Sequence, residues 1–407
     1  MKDVTTPERA LSRRNLLVTG GAASVTALAG FAGGRRTASA APAEPTDTAT
    51  ELPDTIAFDG IHQAGIATPA QGHLLLTAYD LKTGRGRTAL ASVLRQWTTA
   101  ARALTRGEAV DADPSITYGT SPAALTVTVG VGTGLLDRLQ LPRPPLLADL
   151  PSFRGDRLRA ELSDGDVIVQ LCADDPLVLS QADRTLHRLA APAMKIRWQQ
   201  QGFGGTGARR DGRTGRNLMG QLDGTNNATT SQRSTSGPVW ADASAPAWLA
   251  GGTTLVVRRI QMMLDTWERM DTAHQERVIG RRKDSGAPLN AAQESDYVDL
   301  DAKAPDGSPA IPADSHIRLA APRTPQEAMM RRGYSYRGGL QGDGTTDQGL
   351  LFLSYQKDPS TSFVPVQQRL AENDALGKFT LTTGSALFAV LPGTGGPSGW
   401  LGSALLG

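Results

Sequence analysis

Five histidines, one cysteine and a scatter of carboxylates are the groups in this 407-residue chain that could carry metal, proton or electron chemistry. His62, His73, His187, His274 and His316 stand far apart, and no two have the i, i+3 or i, i+4 spacing that sets two imidazoles on one helix face. A multi-histidine zinc site is therefore not expected, whereas a cofactor asking for a single protein ligand is compatible. His316 is the candidate for that ligand: it follows Asp314-Ser315 at what reads as the start of a short strand, and a strongly basic stretch comes soon after. On its own, a lone strand histidine is more often structural than ligating. His187 and His274 lie on stretches read as helix and are expected to face solvent or pack at the surface. Cys172, in the apolar run VIVQLCAD, can form no intramolecular disulfide and reads as a small core residue.

Absences narrow the field further. No HExxH, paired CxxC, GxSxG or Walker A sequence occurs. Gly130-Val131-Gly132-Thr133-Gly134 follows an apolar run, but Leu135 stands where a dinucleotide fingerprint needs its third glycine, so a tight strand-to-helix turn is the better reading. Arg209, Arg210, Arg213 and Arg216 alternate with glycine, as RNA-binding tracts do. With 42 basic against 40 acidic residues and a formal charge of +2, a solvated loop or a cap over an anionic ligand fits better, and nucleic acid is not an expected partner.

These groups need elements to position them. From His73 the chain reads strand (HLLLTAYDL), helix (Thr88 to Leu104), strands (LTVTVGVG and DVIVQLCAD), helix (LSQADRTLHRLA) and strand (AMKIRWQQ). The second half repeats the order with TTLVVRRIQM, a helix through LDTWERMDTAHQERVIG, SHIRLAAP and GLLFLSYQ as strands, a helix near FVPVQQRLAEND, and SALFAVLPG. The expected fold class is α+β, with two tandem ferredoxin-like domains of the dimeric α/β-barrel type, built on antiparallel sheets. The boundaries are 57–236, including a Gly/Arg/Asn-rich crossing segment at 202–236, and 237–407.

The first forty residues read as an address. Ser12-Arg13-Arg14-Asn15-Leu16-Leu17, a Gly/Ala-rich apolar stretch to Phe31 and Thr37-Ala38-Ser39-Ala40-Ala41-Pro42 form a twin-arginine export signal cleaved after Ala40. Residues 41–56 follow as a disordered linker. No segment approaches the ~20 apolar residues of a membrane-spanning helix. The expectation is a protein handed to the twin-arginine export machinery, already folded, and released in soluble form outside the cytoplasm or in the cell envelope.

Seven segments, in order, resemble dye-decolourising peroxidases: GIHQAGI at 60–66, LTVTVGVGTGLLDRL, FRGDRL with SDGDVIVQLCADDP, GQLDGT at 220–225, IGRRKDSGAPL, HIRLAAPR, and RRGYSY with GLLFLSYQ. The resemblance covers about residues 57–395 and is nearest to the exported branch that includes the bacterial deferrochelatase/peroxidases. It implies one haem b in the C-terminal domain with His316 as axial ligand, and Asp374 as acceptor for the other ring N–H. On the far face it implies Asp223, from the GxxDG motif, as the proton shuttle for hydrogen peroxide, and Arg331 as the cation that stabilises developing charge. One shift in strand register would exchange Arg331 with Arg332. Gly224 and Thr225 complete the motif and are counted with the haem-binding residues. Arg282 is read either as a propionate partner or as a surface ion pair. Gly333 stands where the intracellular branch has a distal asparagine, which implies that no amide assists here. Because a free aspartic acid has a pKa near ~3.9, an acidic optimum is expected.

The implied activity is peroxide-dependent oxidation, through a ferryl state, of dyes, phenols or another bulky organic or metal-ion reductant. Trp198, Trp240, Trp248, Trp267, Tyr334 and Tyr336 are the possible electron relays, set against the plainer reading of all six as core residues. Two other classes compete: a haem- or iron-handling protein in which peroxidase activity is incidental, and a haem-free binding protein that kept only the fold.

Overall fold

Strand β1 (His73–Leu81) opens the ordered chain and is followed by helix α1 (Arg87–Leu104), β2 (Thr126–Gly132), α2 (Thr133–Arg138), β3 (Val167–Ala173), α3 (Pro176–Ala190) and β4 (Met194–Phe203). The second half contributes β5 (Thr253–Met262), α4 (Leu264–Trp267), α5 (Thr272–Ile279), α6 (His316–Ala320), β6 (Met330–Leu340), β7 (Thr346–Gln356), α7 (Phe363–Asn373), β8 (Thr380–Val390) and the short α8 (Ser403–Leu406). This computed structural model describes residues 52–111, 120–204, 214–227 and 237–407. The export signal, linker residues 41–51, and Arg209, Arg210 and Arg213 lie outside the described residues. Residues 44–407 form one compact unit.

The eight strands close into an antiparallel barrel in the order β1-β3-β2-β8-β5-β7-β6-β4. Each half supplies four neighbouring strands with the β-α-β-β-α-β order of a ferredoxin-like unit, β4-β1-β3-β2 and β6-β7-β5-β8. Closure leaves no free sheet edge between them. β2 and β3 are buried along their whole length, which explains their nearly continuous apolar runs. One face of the sheet fills the barrel, where Leu74, Cys172, Trp198, Tyr334, Leu353 and Phe388 meet. The other face of the first half is covered by α1 and α3; α1 buries Leu90, Val93, Leu94, Trp97, Ala101 and Leu104 along one stripe. The Gly132-Thr133 junction is the strand-to-helix turn expected from its sequence.

Two element readings need correction. The HIRLAAP stretch is not a strand but the five-residue helix α6, and its place in the second repeat is taken by RRGYSYRGGL, which forms β6. The run is bounded by Pro312 and Pro322. At five residues it is too short for a 3.6-residue period to show against a 2-residue one. The stretch LDTWERMDTAHQERVIG is also not one helix: it breaks at Asp271, whose carboxylate accepts from the His274 backbone N–H at 2.7 Å and starts α5 afresh.

Candidate active site

His316 opens α6, and Asp374 follows the last residue of α7. The imidazole Nδ1 lies 2.7 Å from Asp374 Oδ2, while Asp374 Oδ1 accepts from the Leu376 backbone N–H at 2.9 Å. With Nδ1 engaged, Nε2 is the nitrogen left to act as a ligand. At 32% exposure its side chain is not sealed in the core. Burial pushes its pKa down, but Asp374 outweighs this and the net direction is up; Arg331 pushes down and Asp223 up from farther away. His316, Asp374, Asp223 and Arg331 therefore share one electrostatic neighbourhood, although they come from four separate segments.

Asp223 ends a small hairpin. Arg216 and Leu222 form a bridge, Asn217 N–H donates to Gln221 O at 3.0 Å, and Asp223 N–H donates to Gly215 O at 2.9 Å. The Asn217 amide oxygen accepts from Met219 N–H at 3.0 Å and Gln221 N–H at 3.4 Å, which aims its nitrogen at Asp223 Oδ2, 3.3 Å away. An amide thus reaches the carboxylate, from a different element than the strand that carries Gly333. The carboxylate itself is exposed.

Strand alternation separates the two adjacent arginines of β6. Arg331 interacts with Asp223, donates to Asn226 O at 2.6 Å, and has its backbone held by Asn227, which accepts at 2.9 Å and donates at 2.6 Å. Burial pulls its pKa down and Asp223 opposes that shift. Arg332 points the other way with Tyr334, is buried, and donates to Thr68 O at 2.5 Å and to the Gln71 side chain.

The remaining candidates are more dispersed. Gly224 has a φ of +117° and is exposed, and Thr225 Oγ donates to Glu294 at 2.8 Å. Arg282 is exposed, and among the described residues its side chain makes no hydrogen bond; its charge only helps hold Asp284 below the usual carboxylate range. Its neighbour Arg281 is buried and donates to Gly286 O at 2.7 Å and Glu294 O at 3.0 Å. Trp198, Trp240, Trp248, Trp267, Tyr334 and Tyr336 are all buried, whereas Tyr297, which sequence reasoning did not single out, is 86% exposed.

Arg216 was read from sequence as part of a basic tract, but it serves the site's frame. Its guanidinium donates to Gly220 O at 2.7 Å, Lys283 O at 2.5 Å and Asp284 O at 2.8 Å, tying the Asp223 hairpin to the loop that carries Arg282. Gly286, at φ +74°, allows this approach: a Cβ there would meet Leu222 Cδ1 at 2.4 Å. Asn217 had a sequence signal, an Asn three residues before a glycine, which is common in side-chain-capped turns.

Comparison with known proteins identifies the family. The family model described as "Dyp-type peroxidase, N-terminal" matches residues 63–204, and "Dyp-type peroxidase, C-terminal" matches residues 214–395. The chain is 44% identical over 346 residues to a dye-decolorizing peroxidase of Thermobifida fusca, covering 81% of this chain and 80% of the relative. It is 37% identical to a deferrochelatase of Yersinia pestis, covering 92% and 91%. Among solved structures, an oxyferrous/water mixed complex of DtpA from Streptomyces lividans superposes with a TM-score of 0.84 at 40% identity, covering 90% of this chain and all of that one. A DyP-type peroxidase from Cellulomonas bogoriensis gives 0.83 at 40% identity, covering 89% and 99%. The chain belongs to the Dyp-type peroxidase family and is a haem peroxidase.

Proposed function

We propose that the protein uses hydrogen peroxide to oxidise a bulky organic or metal-ion reductant, with His316 as the haem's axial ligand and Asp223 and Arg331 acting on peroxide at the opposite face. The observation that carries this reading is geometric: His316 Nδ1 is engaged by Asp374 at 2.7 Å, which leaves Nε2 for a ligand, and Arg331 is tied to Asn226 and Asn227, just after Asp223, by hydrogen bonds of 2.6–2.9 Å. The residues fit a haem: an accessible imidazole offers Nε2, its Nδ1 is engaged by a carboxylate, and a carboxylate and a guanidinium stand close by. Bound haem supplies the redox-active metal centre at which the O–O bond is cleaved.

The protein's own groups manage the protons. Asp223 takes the proton from the inner peroxide oxygen and returns it to the outer one, which leaves as water. Arg331 remains protonated throughout, and its donors offset the negative charge that develops as the bond breaks. Arg282, Gly224 and Thr225 are assigned to the haem edge. Replacing Asp223 with Asn should slow the peroxide step by at least about a hundredfold in stopped-flow measurements while leaving haem content unchanged. Parental rates would transfer the proton role to another group.

The deferrochelatase relatives favour a second reading, haem or iron handling. That reading requires exchangeable haem, so slow transfer of haem to a scavenger protein supports the enzyme and fast transfer supports cargo. Export is likewise proposed from Arg13 and Arg14: the Arg13→Lys, Arg14→Lys precursor should accumulate unprocessed in a pulse-chase, and normal processing would refute the address.

A further inference from the structure

α6 contains only five residues, and a helix that short does not hold its own geometry in water. It lacks a side-chain N-cap, and its final carbonyls have no intrahelical donor. Yet this helix must present His316 to within hydrogen-bond reach of Asp374. Something outside it fixes its place.

Arg369, on α7, meets that need. Its Nε donates to Leu319 O at 3.2 Å and its Nη2 to Ala321 O at 3.1 Å, which are two of the unpaired carbonyls at the end of α6. The same guanidinium grips Glu327 through Nη1 at 3.0 Å and Nη2 at 2.7 Å. Both side chains are largely buried, at 13% and 8% exposure. Asp374 immediately follows α7, so one helix supplies both the acceptor for the imidazole and the clamp on the helix that bears it. We propose that Arg369 is the positioning residue of the His316 imidazole, locking α6 to α7 so that His316 keeps its Nδ1 on Asp374 and its Nε2 free to act as a ligand.

Only arginine has the geometry for this. Two carbonyls and a bidentate carboxylate need four directed donor contacts from one planar group, whereas lysine is a point charge with a single head. Arg318 completes the frame from within α6, donating to Leu300 O at 2.7 Å and Ile311 O at 2.8 Å, but it does not reach α7.

The inference rests on the assignment of His316, and the experiment separates the two. Haem-loaded parent, Arg369→Met, Arg369→Lys, Glu327→Gln and His316→Ala are compared by far-ultraviolet circular dichroism, by the visible bands that report axial ligation, and by the rate of haem transfer to excess apomyoglobin. Arg369→Met is expected to keep the parental circular dichroism, to show altered ligation bands, and to lose haem about tenfold faster, the scale on which groups supporting a metal ligand act. Arg369→Lys should recover part of the loss. Should Arg369→Met fail to fold, Arg369→Lys and Glu327→Gln carry the test, with altered bands expected in both. Parental bands and transfer rates in the folded Arg369 variants, beside rapid haem loss from His316→Ala, would overturn the proposal. Parental haem retention and bands in His316→Ala would instead remove the ligand assignment, and this inference with it.

Discussion

The Asn217 amide has little freedom: two backbone N–H groups hold its oxygen, and its nitrogen is left facing Asp223. It therefore orients the carboxylate proposed as the proton shuttle. A hydrogen bond of 3.3 Å to a charged acceptor is long, and its loss should cost about 1 kcal/mol, or roughly fivefold in the peroxide step. Asn217→Ala, measured by stopped flow with haem content as control, checks this. Asn217→Asp should do more: a second carboxylate beside Asp223 disfavours the ionised base, so the acid limb of the pH–rate profile should move to higher pH. At this scale the sequence was informative where a motif named the residue. His316 and Asp374 are in direct contact, and Arg331 is held by Asn226 and Asn227, just after Asp223. Asn217 carries only a turn signal that names no partner, and Arg216 and Arg369 carry no motif, because their work lies in backbone carbonyls that no residue pattern displays.

Elements show a different limit. Long amphipathic segments such as α1 and α3 were legible from period alone, but α6 was not, since its His-Ile-Arg-Leu alternation fits a strand as well as a helix. What settles it is the packing of its neighbours. Gly280 closes α5 at φ +93°, and a Cβ there would meet Ile317 Cγ1 at 2.6 Å. Gly280→Ala would combine left-handed strain with a clash against α6, a loss of about 1–3 kcal/mol that thermal melts would read. The Glu327–Arg369 pair adds a pH signature. Burial pushes the Glu327 carboxyl up, but the Arg369 hydrogen bond, the Arg323 backbone N–H and the charges of both arginines together outweigh it, and the net direction is down. A lowered folded-state pKa contributes stability that is complete above the unfolded value of ~4.3 and is lost as pH falls through the folded value. The stability gap between parent and Glu327→Gln should therefore be widest near neutrality and shrink below about pH 4. A gap that stays constant under acid denaturation would refute the linkage.

For the molecule as a whole, the sequence displayed the repeated strand and helix order of a barrel-type fold, but not which strands close it. Sheet closure depends on β2 pairing with β8, from Gly130 with Val390 to Gly132 with Phe388, a contact between segments more than 250 residues apart that leaves no local trace. A second tie joins the halves on the outer face: Asp156, from the segment between β2 and β3, accepts from Arg258 of β5 at 2.5 Å. Arg258 is 2% exposed, so Asp156→Ala would strand a guanidinium in the core at a cost of about 3–5 kcal/mol, measurable by chemical denaturation.

Cys172, the chain's sole thiol, stands inside the filled barrel with no exposed surface. A sulfhydryl sealed behind eight strands is a clock for the opening of the whole cylinder. A bulky maleimide should modify it no faster than the barrel itself unfolds, so one labelling rate, taken with and without haem, measures how far the cofactor slows that opening.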